Sequence, residues 1–215
     1  MPIKESRKVS RVRRFREVIK NGMLLFGVKN RLARIGITIM PYYWVQEEFE
    51  TCAEPQIKGD VSEFKVRELN LDELMLVSKG IENLHLDVLE KQYNECLLCL
   101  GLEHNNQIAA YMIIGVKDLH FRGRLFPINN NEAYLSSMWT FHDFRGRNLA
   151  PYLRYKSYQV LKEQGRDIKY SISEYFNKST LKFKNKLNSK PLQLFIYFDL
   201  FGKWKRNYLL KSYTD

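Results

Sequence analysis

The 215-residue chain lacks any apolar run that approaches the roughly 20 residues a membrane-spanning helix needs. Its basic N-terminus is not followed by an apolar core and a small-residue cleavage site, which together mark a secretory signal. The chain has no GxxxxGK[ST] phosphate loop, and Ser136 and Ser137 have no His and Asp partners at a diagnostic spacing. These absences argue against P-loop and serine-nucleophile chemistry, and we expect a cytoplasmic location.

Cysteine is scarce, with Cys52, Cys96 and Cys99 as its only occurrences. Cys96 and Cys99 have the spacing of a metal knuckle or a redox pair, but no second Cys/His pair with zinc spacing follows them. They stand in the apolar run 96–102, which is typical of a strand, where residues three apart point to opposite faces. We therefore expect buried, reduced thiols whose sulfurs diverge, and no metal site.

Acidic residues are scarce at both ends of the chain. Residues 1–36 hold eleven Lys/Arg against two Glu, and residues 202–214 hold four basic residues and no acidic one. Apolar residues recur every three or four positions over 9–26, which predicts an amphipathic helix. This helix either packs on the core or lies on anionic lipid at the inner face of the membrane, assisted by residues 200–206. Nucleic acid is disfavoured because no recognised binding motif is present.

Beyond residue 60 the chain alternates strands and helices. Strands are predicted over 64–69, 96–102, 108–116, 134–141, 167–174 and 192–200, and helices over 71–79, 84–93, 149–164 and 179–187. This order predicts an α/β domain with a central mixed sheet and helices on both faces. Residues 51–59 contain Pro55 and Gly59 and indicate a linker. We therefore divide the chain into a basic, helical and aromatic N-terminal extension, 1–60, and a main domain, 61–215.

The stretch Phe144–Ala150 predicts a tight turn that opens a helix after a hydrophobic strand. Free backbone N–H groups converge at such a helix N-terminus, and the helix dipole adds partial positive charge. Arg145 and Arg147 add full charges beside it. We infer an anion site suited to a pyrophosphate, with two ordinary surface arginines as the alternative.

The chain from about residue 62 to 200 resembles the GNAT superfamily of N-acetyltransferases. The acyl-CoA motif of that family, Arg/Gln-x-x-Gly-x-Gly/Ala, falls on Arg145, Asn148 and Ala150. A second family pattern falls on Asn177, Thr180, Leu181, Lys186 and Leu187. The sequence departs from the family at Asn148, where Gly is usual, and at Lys184, where many members carry the Tyr that protonates the leaving thiolate.

The resemblance implies acetyl-CoA as co-substrate, direct attack by an amine on its thioester, and no metal. The cofactor-binding residues that it implies, together with the turn described above, are Met138, Thr140, Arg145, Gly146, Arg147, Asn148, Leu149, Ala150 and Asn177. Met138 and Thr140 would face the pantetheine and thioester, and Asn177 would contact the cofactor arm or simply cap the helix that follows.

Two residues are candidates for catalysis. Glu174 ends a strand beside the predicted site and is the first choice for the general base, with a salt bridge as its alternative role; His142 is the second choice. The implied acceptor is a small-molecule primary amine, and Tyr42–Trp44 with the basic ends would suit an amino sugar that carries phosphate or lipid. The second hypothesis is a non-catalytic module of the same fold that binds an acidic partner or an anionic membrane.

Overall fold

The computed structural model describes residues 24–48, 50–59, 64–79, 81 and 84–213. The helices are α1 (Leu24–Arg34), α2 (Leu71–Ser78), α3 (Leu86–Asn94), α4 (Leu149–Glu163) and α5 (Lys178–Lys186), with a 3-10 turn at His142–Phe144. The strands are β1 (Ile37–Glu47), β2 (Phe64–Glu68), β3 (Cys96–His104), β4 (Gln107–Gly115), β5 (Leu119–Phe121), β6 (Arg124–Phe126), β7 (Glu132–Thr140), β8 (Ile168–Glu174), β9 (Lys190–Leu200) and β10 (Trp204–Ser212). The helix predicted over 9–26 lies outside the described residues except for its last three positions. None of the helices in the described ranges is long and apolar enough to cross a membrane.

Eight strands form one sheet in the order β10-β9-β1-β8-β7-β4-β3-β2, and β5 pairs with β6 in a separate hairpin. The β7–β8 pair is parallel and the other pairs are antiparallel. The mixed α/β sheet predicted from the sequence is therefore confirmed. β7 and β8 pair only from Glu132–Ile168 to Tyr134–Tyr170, so the later parts of the two strands diverge.

The sheet is covered on both faces. On one, the α4 face, Leu149, Leu153 and Leu161 of α4 pack with alternate residues of β3, β4 and β7. On the other, the hairpin face, α2 and α3 cover β3 and β4, and the β5–β6 hairpin covers β1 and β9. Side chains alternate along β7: Tyr134 packs with the hairpin cluster, while its neighbours Ala133 and Leu135 pack on the α4 face.

Two strands come from segments to which the sequence analysis gave other roles. β1 belongs to the segment assigned to the extension, yet it pairs with β8 on one side and β9 on the other. Its aromatic residues Tyr42 and Trp44 are buried under the hairpin, where they stack on Phe195 and Phe126 respectively. Residues 204–212, treated as part of a basic end, form the edge strand β10. The sheet thus includes β1 from the predicted extension and β10 from the basic C-terminal end.

The ends of α4 show why the helix starts and stops where it does. Asn148 precedes the helix in the left-handed conformation, with φ +67°, and Pro151 sits in the first turn, where its missing N–H removes no helical hydrogen bond. At the other end Gly165 has φ +73°, its N–H donates to Lys162 O, and Arg166 N–H donates to Leu161 O. This pair of bonds is the Schellman motif, in which the left-handed Gly165 ends the helix.

The cysteines correct one detail of the sequence analysis. All three are free thiols, but Cys96 and Cys99 do not diverge. The register of β3 against β4 shifts between Cys96 and Leu98, so both thiols pack in the cluster that contains Leu89 and Tyr111. Burial raises the pKa of Cys99 to about 12. Within the described ranges no group of three or more His, Cys, Asp or Glu side chains could hold a metal ion.

Candidate functional site

The divergence of β7 from β8 leaves backbone donors without a strand partner. Phe141 N–H donates to Ala109 O of β4 at 3.0 Å. Because successive amides of a strand point to opposite sides, the N–H groups of Met138 and Thr140 face the gap between β7 and β8. The gap-facing end of β7 lies beside the start of α4.

A cavity of about 460 Å³ opens at this gap on the α4 face. Seven of the nine predicted cofactor-binding residues line it, and they come from β7, the following turn and the first turn of α4. These residues are Met138, Thr140, Arg145, Gly146, Asn148, Leu149 and Ala150. The structure therefore brings most of the predicted set together around one space.

The turn before α4 exposes backbone N–H groups at this cavity. Gly146 has φ +83°, and a Cβ added there would meet no atom within 4 Å, so the space beside it is open. The Asn148 side chain does not cap α4; its Nδ2 donates to Gln56 O at 2.7 Å instead. The first turn contains no acidic residue, and Pro151 has no N–H. The amides of Leu149 and Ala150 are thus available to an anion.

Three cations surround this N-terminus. Arg145 is held in place because its Nε donates to Thr140 O at 3.0 Å and its guanidinium lies 5.1 Å from the centre of the Trp139 ring. Lys58 and Lys186 line the same cavity. Lys186 belongs to the second motif noted in the sequence, whereas Lys58 lies in the predicted linker and carried no signal. Lys58 reaches the site because its N–H donates to Arg147 O at 2.9 Å.

Two predicted cofactor residues lie outside the cavity lining. Arg147 turns away: its Nε donates to Lys58 O at 3.3 Å and its guanidinium lies 4.9 Å from the centre of the Phe64 ring. Asn177 caps α5, with Oδ1 accepting from Thr180 N–H at 3.2 Å. Of the two roles considered for Asn177, the structure shows the helix cap.

The two candidate catalytic residues differ in their surroundings. Glu174 pairs with Tyr42 in the register of β8 and β1, which places its side chain on the hairpin face at the end of the gap. Its carboxylate forms an ion pair with Lys29 of α1. The His142 side chain is 90% exposed, stands beside Asp143 and does not line the cavity.

Lys184 of α5, at the position of the family tyrosine, points away from the cavity. Its Nζ lies 3.1 Å from Glu47 Oε1 and donates to Ser171 Oγ at 2.5 Å and Ser173 Oγ at 2.7 Å. Arg154 Nε of α4 lies 3.3 Å from Glu47 Oε2. All three charged side chains are buried. We refer to Glu47, Arg154 and Lys184 as the buried charge cluster.

The cluster shifts the pKa values of its members. Burial opposes ionisation of Glu47, but Arg154 and Lys184 outweigh it and lower the pKa of Glu47 to about 2. Burial lowers the pKa of Lys184 to about 8, and the attraction of Glu47 offsets this effect only in part. The Glu47 carboxylate is therefore ionised at neutral pH. Through Arg154, Lys184 and Ser171 it connects β1 to α4, α5 and β8.

No family model and no curated protein match the sequence. Solved structures do match in fold. A GNAT-family acetyltransferase from Colwellia psychrerythraea aligns with a TM-score of 0.57 at 13% identity, covering 82% of this chain and 62% of that one. A GCN5-related N-acetyltransferase from Sphaerobacter thermophilus gives 0.55 at 9% identity, with 88% and 58% covered. One from Kribbella flavida gives 0.51 at 10% identity, with 81% and 63% covered.

The chain therefore has the fold of GNAT acetyltransferases, as its sequence motifs imply. It spans less than two thirds of the length of these neighbours. At these identities the similarity establishes the fold, and the chemistry has to be argued from the residues of the site.

Proposed function

We propose that this protein is an N-acetyltransferase that moves an acetyl group from acetyl-CoA to a primary amine of a small molecule. The observation that carries the proposal is the cavity at the β7–β8 gap, where unpaired strand amides and an electropositive helix N-terminus lie side by side. An acyl-CoA has the matching chemistry, because a thioester and a pyrophosphate are joined by an extended arm.

The cofactor pyrophosphate would lie against the amides of Leu149 and Ala150, with Arg145, Lys58 and Lys186 supplying positive charge. Acetyl-CoA, when bound, supplies the activated acyl group. The Met138 N–H, which faces the gap, is placed to donate to a carbonyl oxygen as negative charge develops on it. Binding both reactants at one gap supplies proximity, and the chain needs no covalent intermediate.

The amine acceptor would approach from the hairpin face, where Glu174 lies. An amine must lose a proton before it attacks, and Glu174 is our candidate to accept that proton, directly or through water. In the structure this carboxylate holds the Lys29 ammonium, a group of the same chemistry as a protonated acceptor. We infer that a substrate ammonium would compete with Lys29 for Glu174.

We do not assign a protein acid for the leaving thiolate. Lys184 is buried against Glu47 and does not line the cofactor cavity, so solvent is the proton donor that we propose. The amino-sugar class of acceptor remains a proposal. Tyr42 and Trp44 do not support it as an exposed binding surface, because both rings are packed under the hairpin.

The test combines binding and turnover. Acetyl-CoA should raise the melting temperature of the wild type, because a ligand that binds only the native state stabilises it. Arg145→Glu should abolish this shift, whereas Arg147→Ala should retain most of it, because Arg147 points away from the cavity. Lys117→Glu, an exposed charge reversal beyond the other end of β7, is the matched control for Arg145→Glu.

Turnover is measured as release of free thiol from acetyl-CoA with a panel of primary amines, amino sugars included. Thiol release that depends on both the amine and Arg145 supports the enzyme. A cofactor shift without release for any amine would favour the second hypothesis, a non-catalytic binding module. A wild-type melting curve that millimolar acetyl-CoA leaves unmoved would refute the cofactor assignment itself.

A further inference from the structure

A second cavity, of about 490 Å³, lies on the hairpin face at the far end of the sheet from β2. It separates the turn of the β5–β6 hairpin from the edge strand β10. Its lining residues are Arg122, Gly123, Tyr197, Lys205, Arg206 and Asn207. Tyr197 packs with the hairpin cluster and is the register partner of Asn207, so this basic groove and the cofactor cavity lie on opposite faces of the sheet.

The groove concentrates positive charge that other residues do not neutralise. The side chains of Arg122 and Lys205 line it, and Arg124 stands beside it with Nη2 donating to Asn207 O at 3.4 Å. Arg206 follows Lys205 on β10, so its side chain lies on the other face of the strand, against Trp204. Among the carboxylates of the described ranges, only Asp199 pairs with one of the three groove cations, Lys205, at 3.9 Å. An excess of about two positive charges around one concave surface attracts a multiply charged anion.

One polar atom of the groove lining, Asn207 Oδ1, is buried without a hydrogen-bond partner among the described residues. The other end of the Asn207 amide is fixed, since Nδ2 donates to Tyr42 Oη at 2.8 Å and to Arg122 O at 3.1 Å. Buried polar groups in native proteins are nearly always paired. An acceptor left over in a basic groove suits a ligand that carries a hydroxyl beside its anionic group.

The turn itself favours a binding role for Arg122. Arg122 and Gly123 form a two-residue hairpin loop with φ +52° and +74°. Asn and Gly adopt positive φ at the first position of such a loop with little strain, whereas the backbone of a residue with a long side chain is strained there. The strained backbone places the Arg122 guanidinium 5.1 Å from the centre of the Tyr197 ring, at the wall of the groove.

We propose that this basic groove binds a phosphate group attached to a hydroxylated moiety, independently of the acyl-CoA site. Arginine forks match phosphate oxygens, and the buried Tyr197 ring supports the Arg122 guanidinium from below. The phosphate can belong to a soluble compound or to a lipid headgroup. The lipid source is suggested by Leu209 of the adjoining edge strand, which lies on the same face as Lys205 and Asn207 and is 47% exposed.

Inorganic pyrophosphate and uridine diphosphate are the soluble probes, titrated by calorimetry into full-length protein that is saturated with acetyl-CoA. We expect binding that weakens with salt, and a loss of at least tenfold in affinity in Arg122→Asn and in Lys205→Ala. Arg122→Asn should keep or raise the melting temperature, because Asn tolerates the left-handed conformation better than Arg. The matched control is Lys65→Ala, an exposed lysine on β2 at the opposite edge of the sheet.

Vesicles of phosphatidylcholine with and without phosphatidylglycerol distinguish the two sources. Co-sedimentation with the anionic vesicles alone, lost in Arg122→Asn and displaced by pyrophosphate, identifies a lipid headgroup. Binding of the soluble probes without any co-sedimentation identifies a soluble ligand. If neither probe nor anionic vesicle binds the wild type, or if Arg122→Asn binds as tightly as the wild type, the proposal is overturned. A negative result for the basic groove does not affect the cofactor test, because that test measures the acetyl-CoA-dependent melting shift and its loss in Arg145→Glu, on the opposite face of the sheet.

Discussion

The Nζ atom of Lys184 lies 3.1 Å from Oε1 of Glu47, and both side chains are buried. These residues stand 137 positions apart in the sequence, on α5 and at the end of β1. Their contact, with Arg154 and Ser171, fixes α5 against the strand that diverges from β7. The cofactor cavity therefore depends in part on a charge pair that does not line it.

Breaking this pair should destabilise the fold. Lys184→Met leaves the Glu47 carboxylate buried with one cationic partner fewer, and removal of one member of a buried pair costs about 3–5 kcal/mol. Urea unfolding measures the loss. The double variant Glu47→Gln/Lys184→Met should lose less than the sum of the two single variants, because their effects are coupled. Additive losses, or a single-variant loss within about 0.5 kcal/mol of zero, would contradict the importance of the pair.

The same lysine should contribute little to the chemical step. In Lys184→Ala protein that remains folded, judged by circular dichroism, we expect kcat to fall less than tenfold, which corresponds to under about 1.4 kcal/mol of barrier. The reason is that Lys184 Nζ is occupied by Glu47, Ser171 and Ser173 on the side away from the cavity lining. A loss of several orders of magnitude with an intact fold would instead make Lys184 the proton donor.

Glu47 should make the protein sensitive to acid. Its pKa is about 2 in the folded chain against an ordinary value of 4.5, so the unfolded chain binds the proton more readily. The carboxylate therefore contributes stability that is complete above pH 4.5 and is lost as the pH falls toward 2, about 3 kcal/mol in all. Urea unfolding between pH 6 and 2 tests this. The double variant Glu47→Gln/Lys184→Met should show a flatter dependence over that window, and an unchanged slope would show that other groups cause it.

The sequence predicted the local parts of the site better than the parts assembled over long distances. The turn Arg145–Ala150 could be found because its residues are adjacent and its geometry depends on local donors. β1 was not predicted as a strand because Pro41 interrupts it and its partners on β8 and β9 lie more than 100 residues away. Eight of the nine β10 side chains are exposed, so the strand lacks the alternation of apolar and polar residues that indicates a half-buried strand. Buried charges such as Glu47 give no pattern, because charged residues are ordinarily expected at the surface.

Asn148 replaces the usual glycine of the motif. We expect it to be accepted there mainly because Asn can adopt the left-handed backbone conformation, and only in part because of the hydrogen bond that its side chain makes. At φ +67° Asn148→Ala should cost about 1 kcal/mol more than Asn148→Gly, since a left-handed residue with a Cβ is strained unless it is Asn or Asp. Both variants lose the hydrogen bond from Nδ2 to Gln56 O. Thermal melts with and without acetyl-CoA provide the measurement. If Asn148→Ala has a melting temperature equal to or higher than that of Asn148→Gly, the left-handed conformation does not determine which residues are accepted at position 148.

Glu174 is both the candidate general base and the ion-pair partner of Lys29. Kinetic measurements on variants of the two residues distinguish these roles. As a general base it should contribute about 10²–10⁴-fold to the rate, so Glu174→Gln should lower kcat by that factor. Lys29→Met should keep or raise kcat, because it releases the carboxylate for the acceptor. Both variants should change the free energy of unfolding by no more than about 1 kcal/mol, since a partly exposed pair contributes little. If Glu174→Gln keeps the wild-type kcat while losing as much stability as Lys29→Met, Glu174 is a salt-bridge partner and the amine loses its proton to water.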